Sequence, residues 1–498
     1  MIDQLRSHPA HLWAVIYYCL QPLLDYWLRH VPPADALRAA ASVDLELRAA
    51  AEATGRRGMF ADELIARRHR QPARLHGCGM RSRITLSYAA FTSCFVEAAE
   101  RFLGPDGFFP MLSVSFGGAD AFVEGGHRFT TWLRDTTAHG SLALAFAGSW
   151  ELMQEEVQGS GVPGPLEQPA AMAGLGCAGH LQRLITRQRE LVEHDRLHRD
   201  MLALPFGDVR RQAWLAADRL STQWVSVYPS QEQQLDGLSA PRLFQDVHCF
   251  YLGLALPSLD DLAGQPIPAA RRAMRRVCCA FGIQLGLATL PGGDQEVLWH
   301  DPIVRLLTAF ARRAGVPVTR EPRGIFAAVL DQDLLARPHC GLIPDLACEL
   351  RMAAAGVAGG RPRLTRCLFD VKTCYAGNSV YEAADRQGER AGAVERRARR
   401  VPAAYEAAAR AQDRQMLVRR TVASGGDAST IPPAAELPDG ACLRRLREFP
   451  PAVGLGFGSY GEASPSVHTL VRTLAVEVAA RECGGRWERG RRRRHAVS

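Results

Sequence analysis

The sequence predicts an α+β fold, with a helical N-terminal portion followed by an α/β domain in the C-terminal part of the chain. Segments 34–54 and 186–204 are rich in Ala, Leu, Arg and Glu, and their apolar residues recur at the three- and four-residue spacing of one helix face. From about residue 291, short apolar runs bounded by Gly and Pro alternate with helix-patterned stretches. The 498 residues also exceed what one ordinary core fills, so about two or three domains are expected.

Composition narrows the class. With 47% hydrophobic and 22% charged residues the chain has the makeup of a soluble globular protein, not of a fibrous or disordered one. Its 13 cysteines are odd in number and scattered, with Cys278 and Cys279 the one adjacent pair and no CxxC. That spacing argues against a disulfide framework and against a ribbon-type zinc site, and favours reduced thiols in the nucleus or cytoplasm. The apolar stretch from Leu12 to Leu28 is interrupted by Gln21, Pro22 and Asp25 and is followed by no small-residue cleavage site. It reads as buried helix, so no membrane partner is expected.

The elements follow in order. A helical region at 1–157 ends at the Gly/Pro segment 158–170, a second helical region covers 158–290 with a looser join at 255–269, an α/β domain covers 291–484, and a basic tail closes the chain at 485–498. A helix at 302–314 takes Asp301 as N-cap and Pro302 in its first turn, places Ile303, Leu306, Leu307 and Phe310 on one face, and stops at Gly315. Strand-like runs at 316–320, 325–330, 342–348 and 364–372 precede a helical region from about 393, restarted at Pro402 and running to about 419. A polar linker at 421–450 leads to a strand at 453–458 and a helix opened by Ser464 and Pro465. That order predicts a sheet flanked by helices.

The candidate chemistry sits on two of these strands. Asp345 lies in GLIPDLACEL, after Pro344, whose missing N–H makes a fully paired central position unfavourable. Asp370 and Lys372 lie in RCLFDVKTC, where strand alternation sets Leu368, Asp370 and Lys372 on one face and Phe369 and Val371 on the other. Two carboxylates on neighbouring strands offer the hard oxygen ligands of Mg²⁺ or Mn²⁺, and an adjacent amine orients the attacking water or stabilises charge on phosphorus. Lys372 is the only lysine among 60 basic residues, in a chain whose Arg richness marks positions that merely need charge. Arginine, never deprotonated and fork-shaped, replaces such a lysine poorly. The plainer alternative is that Asp345 ends a strand and Asp370 to Lys372 is a surface ion pair.

These residues carry a resemblance. Asp301, Glu321-Pro-Arg-Gly-Ile-Phe, Gly341-Leu-Ile-Pro-Asp345, Asp370-Val-Lys372-Thr and Gly458-Ser-Tyr-Gly-Glu462-Ala-Ser-Pro together resemble the restriction-endonuclease-like, PD-(D/E)xK region that follows the reverse transcriptase in retroelement-type proteins of algae and other protists. Segment 13–54 and LHGCGMRS at 75–82 resemble the region just downstream of the polymerase palm. The resemblance implies an α/β restriction-endonuclease-like domain and a Mg²⁺- or Mn²⁺-dependent endonuclease acting on nucleic acid, DNA foremost. It maps the acidic strand residue to Asp345, the (D/E)xK pair to Asp370 and Lys372, and a further acid to Glu321. There is no Tyr-x-Asp-Asp polymerase signature, which removes reverse transcription, and Asp370 stands where relatives often carry Glu. The alternative is a non-catalytic nucleic-acid-binding remnant of a retroelement polyprotein.

Other signals are weaker. Arg396, Arg397, Arg399 and Arg400, and Arg489 with Arg491 to Arg494, are candidates for phosphate contact, against a plain reading as charged helix surface and frayed terminus. The net charge of +8 favours polyanions but is modest for this length. Gly456-Phe-Gly458-Ser-Tyr-Gly461 matches a dinucleotide fingerprint, but too little chain follows for a second strand with a ribose-binding acid, and a glycine-rich turn is preferred. His194 and His198, four apart among charged neighbours, read as a solvated face.

Overall fold

The computed structural model describes residues 2–103, 137–167, 180–217, 241–267, 276–282, 300–330, 342–352, 363–374, 389–459 and 461–482. Gly341 and the basic tail 485–498, with its arginines, lie outside them. The protein is mixed α/β, and it divides into two compact units, Met1–Asp261 and Leu262–Ser498.

Among its described residues the first unit is helical: α1 (Pro9–Val15), α2 (Asp25–His30), α3 (Pro33–Thr54), α4 (Glu63–Arg70), α5 (Arg83–Leu103), α6 (Thr137–Val157), α7 (Leu181–Ala203), α8 (Val209–Ala216) and α9 (Pro241–Leu252). The Leu12–Leu28 stretch is helical throughout but irregular, passing through a π turn at Ile16–Leu20 and a 3-10 turn at Gln21–Leu24. Pro22 explains the break, since its ring and missing N–H do not fit an α-helix interior. Leu12, Trp13 and Ile16 are buried with Leu47, Ala50 and Ala51 of α3 and Leu252 of α9, whereas Tyr18, Leu23 and Tyr26 face outward. A second core joins Phe91 of α5, Trp150 and Met153 of α6 and Ile185 of α7. Among the described residues no helix is long and apolar enough to cross a membrane.

The second unit opens with a two-residue antiparallel pairing, β1 (Pro266–Ile267) with β2 (Arg276–Val277). Then come α10 (Asp301–Arg313), β3 (Val318–Arg320), β4 (Leu346–Met352), β5 (Arg363–Cys374), α11 (Glu389–Arg399), α12 (Val401–Ala423), α13 (Ala441–Leu446), β6 (Val453–Gly458) and α14 (Pro465–Glu482). Strands β3, β4, β5 and β6 form one sheet in that order, antiparallel except for the parallel β5–β6 pair. Alternation along β5 sorts its side chains as expected. Leu368 joins a core with Val401, Tyr405 and Ala409 of α12, while Phe369 and Val371 join Val304 and Leu307 of α10 and Leu470 and Leu474 of α14 on the other face. The sheet is thus covered on both sides by helices.

Several expected details shift. Helix α10 begins at Asp301 itself, and no side chain caps it. Its buried face is Val304, Leu307, Thr308 and Ala311, which leaves Leu306 and Phe310 exposed, a rotation of the expected stripe that packing against the sheet decides. The run 325–330 is not a strand: a 3-10 turn at Arg323–Ile325 continues as turns closed by Val329 N–H to Phe326 O at 3.0 Å and Leu330 N–H to the same oxygen at 2.9 Å. Its apolar side chains Ile325, Phe326 and Leu330 are buried all the same, so local periodicity did not distinguish the two. The linker 421–450 contains a short helix, α13, whose Cys442 and Leu443 are buried and whose first amides, Cys442 N–H and Leu443 N–H, bond Asp413 at 2.8 and 3.1 Å.

Glycines of β6 are required by close packing. A Cβ on Gly454 would stand 2.2 Å from the Ala398 carbonyl oxygen, and one on Gly456 would meet Val394 at 2.8 Å, so α11 lies directly on the β6 backbone. Gly454→Ala is therefore expected to lower stability by about 3 kcal/mol, while Gly324→Ala, which meets nothing within 4 Å, should stay within about 0.5 kcal/mol of the parent. Denaturant unfolding of both variants checks this, and an unperturbed Gly454→Ala protein would contradict the α11–β6 contact.

Candidate active site

The site forms where the β4–β5 ladder ends. Leu346 is paired with Phe369 as the last couple of the ladder, so Asp345 falls opposite Asp370. Asp345 was expected inside a strand, but it stands one residue before β4. Pro344 supplies the reason: it has no N–H for the ladder, so backbone pairing stops and the Asp345 side chain takes over, accepting the Val371 N–H on Oδ2 at 2.6 Å. The Asp345 carbonyl in turn accepts the Glu321 N–H at 2.9 Å, which extends the row one strand further.

Asp370 points to the α12 side of the sheet and is 6% exposed. Its Oδ2 lies 2.5 Å from Lys372 Nζ, and Tyr405 of α12 donates to its Oδ1 at 3.2 Å. Burial pushes the Asp370 carboxyl above the usual carboxylate range and the Asp345 charge adds to that, while Lys372 and the Tyr405 hydroxyl pull it back. Asp370 to Lys372 is thus an ion pair, but not a surface one: the carboxylate is buried and only the amine, with 38% of its side chain exposed, reaches solvent.

His300, which sequence reasoning missed, completes the group. Its Nε2 is 3.1 Å from Asp345 Oδ2 and its Nδ1 is 3.2 Å from Asp301 Oδ1. Held between two carboxylates, Asp345 foremost, its imidazole is raised to about 9 despite partial burial and is a cation at neutral pH. Nothing in its neighbourhood in sequence announced this beyond its place at the start of α10. Tyr405 was equally silent, since an aromatic on a helix face reads as core.

The other candidates sit apart. Glu321 adopts φ +40 and its side chain turns outward to Arg323 at 3.5 Å, so its backbone, not its carboxylate, belongs to the row of acids. Arg396, Arg397 and Arg399 on α11 and Arg400 at its junction with α12 are all exposed, and the inner face of α11 carries Arg390, Val394 and Ala398. Arg399 is paired with Glu395, and Arg397 lies towards the Cys374 end of β5, where its charge pulls down a thiol that burial pushes up. Gly461, with φ +94, closes the turn between β6 and α14, and Ser464 Oγ accepts the Gly456 N–H at 2.9 Å. His194 and His198 stack with ring centres 6.2 Å apart, and His198 Nδ1 accepts from the Trp214 indole at 2.9 Å. The pair is half-buried against Trp214 instead of lying on an open charged face.

No protein-family model matches the chain, and no curated protein or solved structure does either.

The donor set at Asp345 and Asp370 is two carboxylates on adjacent chain segments, hard oxygen donors suited to Mg²⁺ or Mn²⁺, and the burial that disfavours the Asp370 charge is relieved by any cation placed there. Among the described residues the cations paired with these two carboxylates are Lys372 and His300. Since the His300 pKa is raised in the folded state, its contribution to stability is fully present below about pH 6.5 and is lost as pH rises through about 9. With chelator present, the parent should lose stability across that interval by up to about 3 kcal/mol more than His300→Gln. Thermal melts of both proteins over the interval measure it, and parallel curves would mean that His300 is not paired with Asp345.

Proposed function

We propose that the second unit is a metal-dependent nuclease of the PD-(D/E)xK type, acting as an endonuclease on nucleic acid, with DNA the first substrate to test. The reading rests on one juxtaposition: Asp345 directly opposite Asp370 at the open end of β4–β5, with Lys372 on the Asp370 face. Asp345 and Asp370 would hold Mg²⁺ or Mn²⁺, which supplies a Lewis acid for the phosphodiester and lowers the pKa of a bound water. The Val371 amide and His300 fix the Asp345 carboxylate, and Tyr405 fixes that of Asp370, so neither acid has to reorganise to meet a cation. Lys372, half in solvent, places a compact ammonium beside Asp370, where it can position a nucleophile or meet charge on phosphorus. The exposed arginines of α11 are assigned phosphate contacts. The resemblance to the restriction-endonuclease-like region of retroelement proteins supports the same assignment from sequence. The row of acids is smaller than that resemblance implies, because Glu321 contributes backbone alone.

A second reading is favoured by one observation. Both carboxylates are already charge-compensated, Asp370 by Lys372 and Asp345 by His300, as they would be in a protein that keeps the fold and binds nucleic acid without cutting it.

Plasmid and oligonucleotide cleavage with Mg²⁺ or Mn²⁺ separates the two. Lys372→Arg and Lys372→Ala should each lose about 10²-fold or more of the cleavage rate, with far smaller change in substrate binding, and Asp370→Asn serves as the metal-site control. Lys372→Ala also strands the buried Asp370 carboxylate and should cost about 1–3 kcal/mol, so rates are compared well below its melting temperature. Full activity in Lys372→Arg would show that charge alone was needed. Salt-sensitive DNA binding by the parent with no cleavage under either metal would establish the non-catalytic reading.

A further inference from the structure

The first unit gathers three potential ligands that its sequence keeps far apart. His69 closes α4, Cys78 follows nine residues later, and His248 comes from α9; one donor atom of each lies within 4.8 Å of the other two. All three are essentially sealed from solvent, at 3%, 0% and 0% exposure. The loop that brings Cys78 back to His69 is built for it: Gly79 N–H donates to Gln71 O at 2.7 Å and Met80 N–H to His69 O at 3.2 Å. Glycines flank the cysteine. A Cβ on Gly77 would strike the Gln71 carbonyl oxygen at 2.0 Å, and Gly79 has φ +77, a conformation that favours glycine.

The rings are oriented. Thr54 Oγ1 spends its proton on Ala51 O at 2.7 Å, so towards His248 Nδ1, 3.2 Å away, it acts as acceptor, as does the Thr54 carbonyl at 3.3 Å. Nδ1 is therefore assigned the proton, and the unprotonated Nε2 faces Cys78 Sγ at 3.9 Å. His69 stacks on His248 with ring centres 5.4 Å apart, Trp13 stands edge-on to both, and His69 Nε2 is buried with no hydrogen-bond partner among the described residues. A polar atom buried in that state is costly unless something else occupies its lone pair. Burial keeps both imidazoles neutral, with His248 lowered to about 4 and His69 well below its usual value, as nitrogen ligands must be.

We propose that His69, Cys78 and His248 form a structural site for Zn²⁺, independent of the acidic site on the sheet. Two imidazoles and a thiolate are the borderline-soft set that Zn²⁺ prefers and Mg²⁺ does not. On binding, hydrated Zn²⁺ sheds water, the Cys78 S–H bond breaks with its proton released to buffer, and one Zn–S and two Zn–N bonds form, leaving one position for a water. Unliganded, the Cys78 thiol is pushed up to about 12 by burial, so the metal must deprotonate it and affinity rises with pH. The pair Thr54–His248 plays the orienting part of a hydrogen-bonded metal histidine. The ligand spacing escapes a sequence search because the loop supplies only one cysteine and the third ligand is 170 residues further on.

The test uses the full chain. After chelation and reloading with Zn²⁺ alone or Co²⁺ alone, we expect one tightly held zinc per chain, a melting temperature that falls on chelation, and a thiolate-to-cobalt charge-transfer band. Cys78→Ser should abolish that band and weaken zinc binding by about 100-fold or more, and Thr54→Val should weaken it by about 10-fold through His248. Cys249→Ser, a buried thiol beside the cluster in sequence but not in it, should bind as the parent does. The parent spectrum decides the matter even where a variant folds poorly. Substoichiometric zinc with no charge-transfer band, or a band that survives in folded Cys78→Ser, overturns the site whatever the outcome for nuclease activity.

Discussion

The second unit depends on the way the β4–β5 ladder ends. Asp345 accepts the Val371 amide with its side chain at 2.6 Å, in the place where a backbone carbonyl would continue the pairing. That bond fixes one carboxylate at the sheet end, and the register beneath it, Leu346 with Phe369, sets the second opposite. Everything else at the site hangs on these two positions: His300 comes to Asp345 from the start of α10, Lys372 to Asp370 from along the same strand, and Tyr405 from the helix layer above. A one-residue slip would send Asp370 and Lys372 to the opposite face, among Phe369 and Val371's partners.

The charge arrangement follows from burial. A carboxylate as enclosed as Asp370 is tolerable when a cation sits beside it, and the protein supplies Lys372 at 2.5 Å. Asp345 is answered in the same way by a histidine whose pKa its own charge raises to about 9. The two acids and two bases form a compact group whose members offset one another, and a divalent cation entering it would compete with Lys372 and His300 for the same oxygens. The exchange of organic cations for a metal is the physical content of the nuclease reading, and failure of that exchange is the content of the binding-only one. The first unit solves a related problem with different chemistry, burying nitrogen and sulfur donors around Trp13 instead of oxygen donors at the end of two sheet strands.

Local pattern carried a good part of this structure. Helices over 33–54 and 181–203, the helix after His300, the strands at 363–374 and 453–458 and the helix from Pro465 all follow from periodicity and from Gly and Pro punctuation, which act within one or two turns of chain. Alternation likewise made Asp370 and Lys372 neighbours on one face. Local pattern failed where two conformations share the same signal: the apolar run 325–330 satisfies a strand or a buried turn equally, and the stripe of α10 could be rotated by one position until the sheet chose Val304 and Ala311 over Leu306 and Phe310.

The sequence by itself determined the strongly patterned elements, the placing of Asp370 and Lys372 on one face, and the chemical type of the acidic residues, because each depends on residues two to four apart. Tertiary structure alone decided that the Asp345 side chain would take the Val371 amide where the ladder stops, that His300 would be a cation against Asp345, and that Glu321 would offer its amide and turn its carboxylate away. It alone gathered His69, Cys78 and His248, whose neighbourhood is made by packing three separated segments around Trp13. Contacts between distant segments are set by how buried faces fit and which polar atoms must be satisfied once water is excluded, and neither quantity is written in the spacing of residues along the chain.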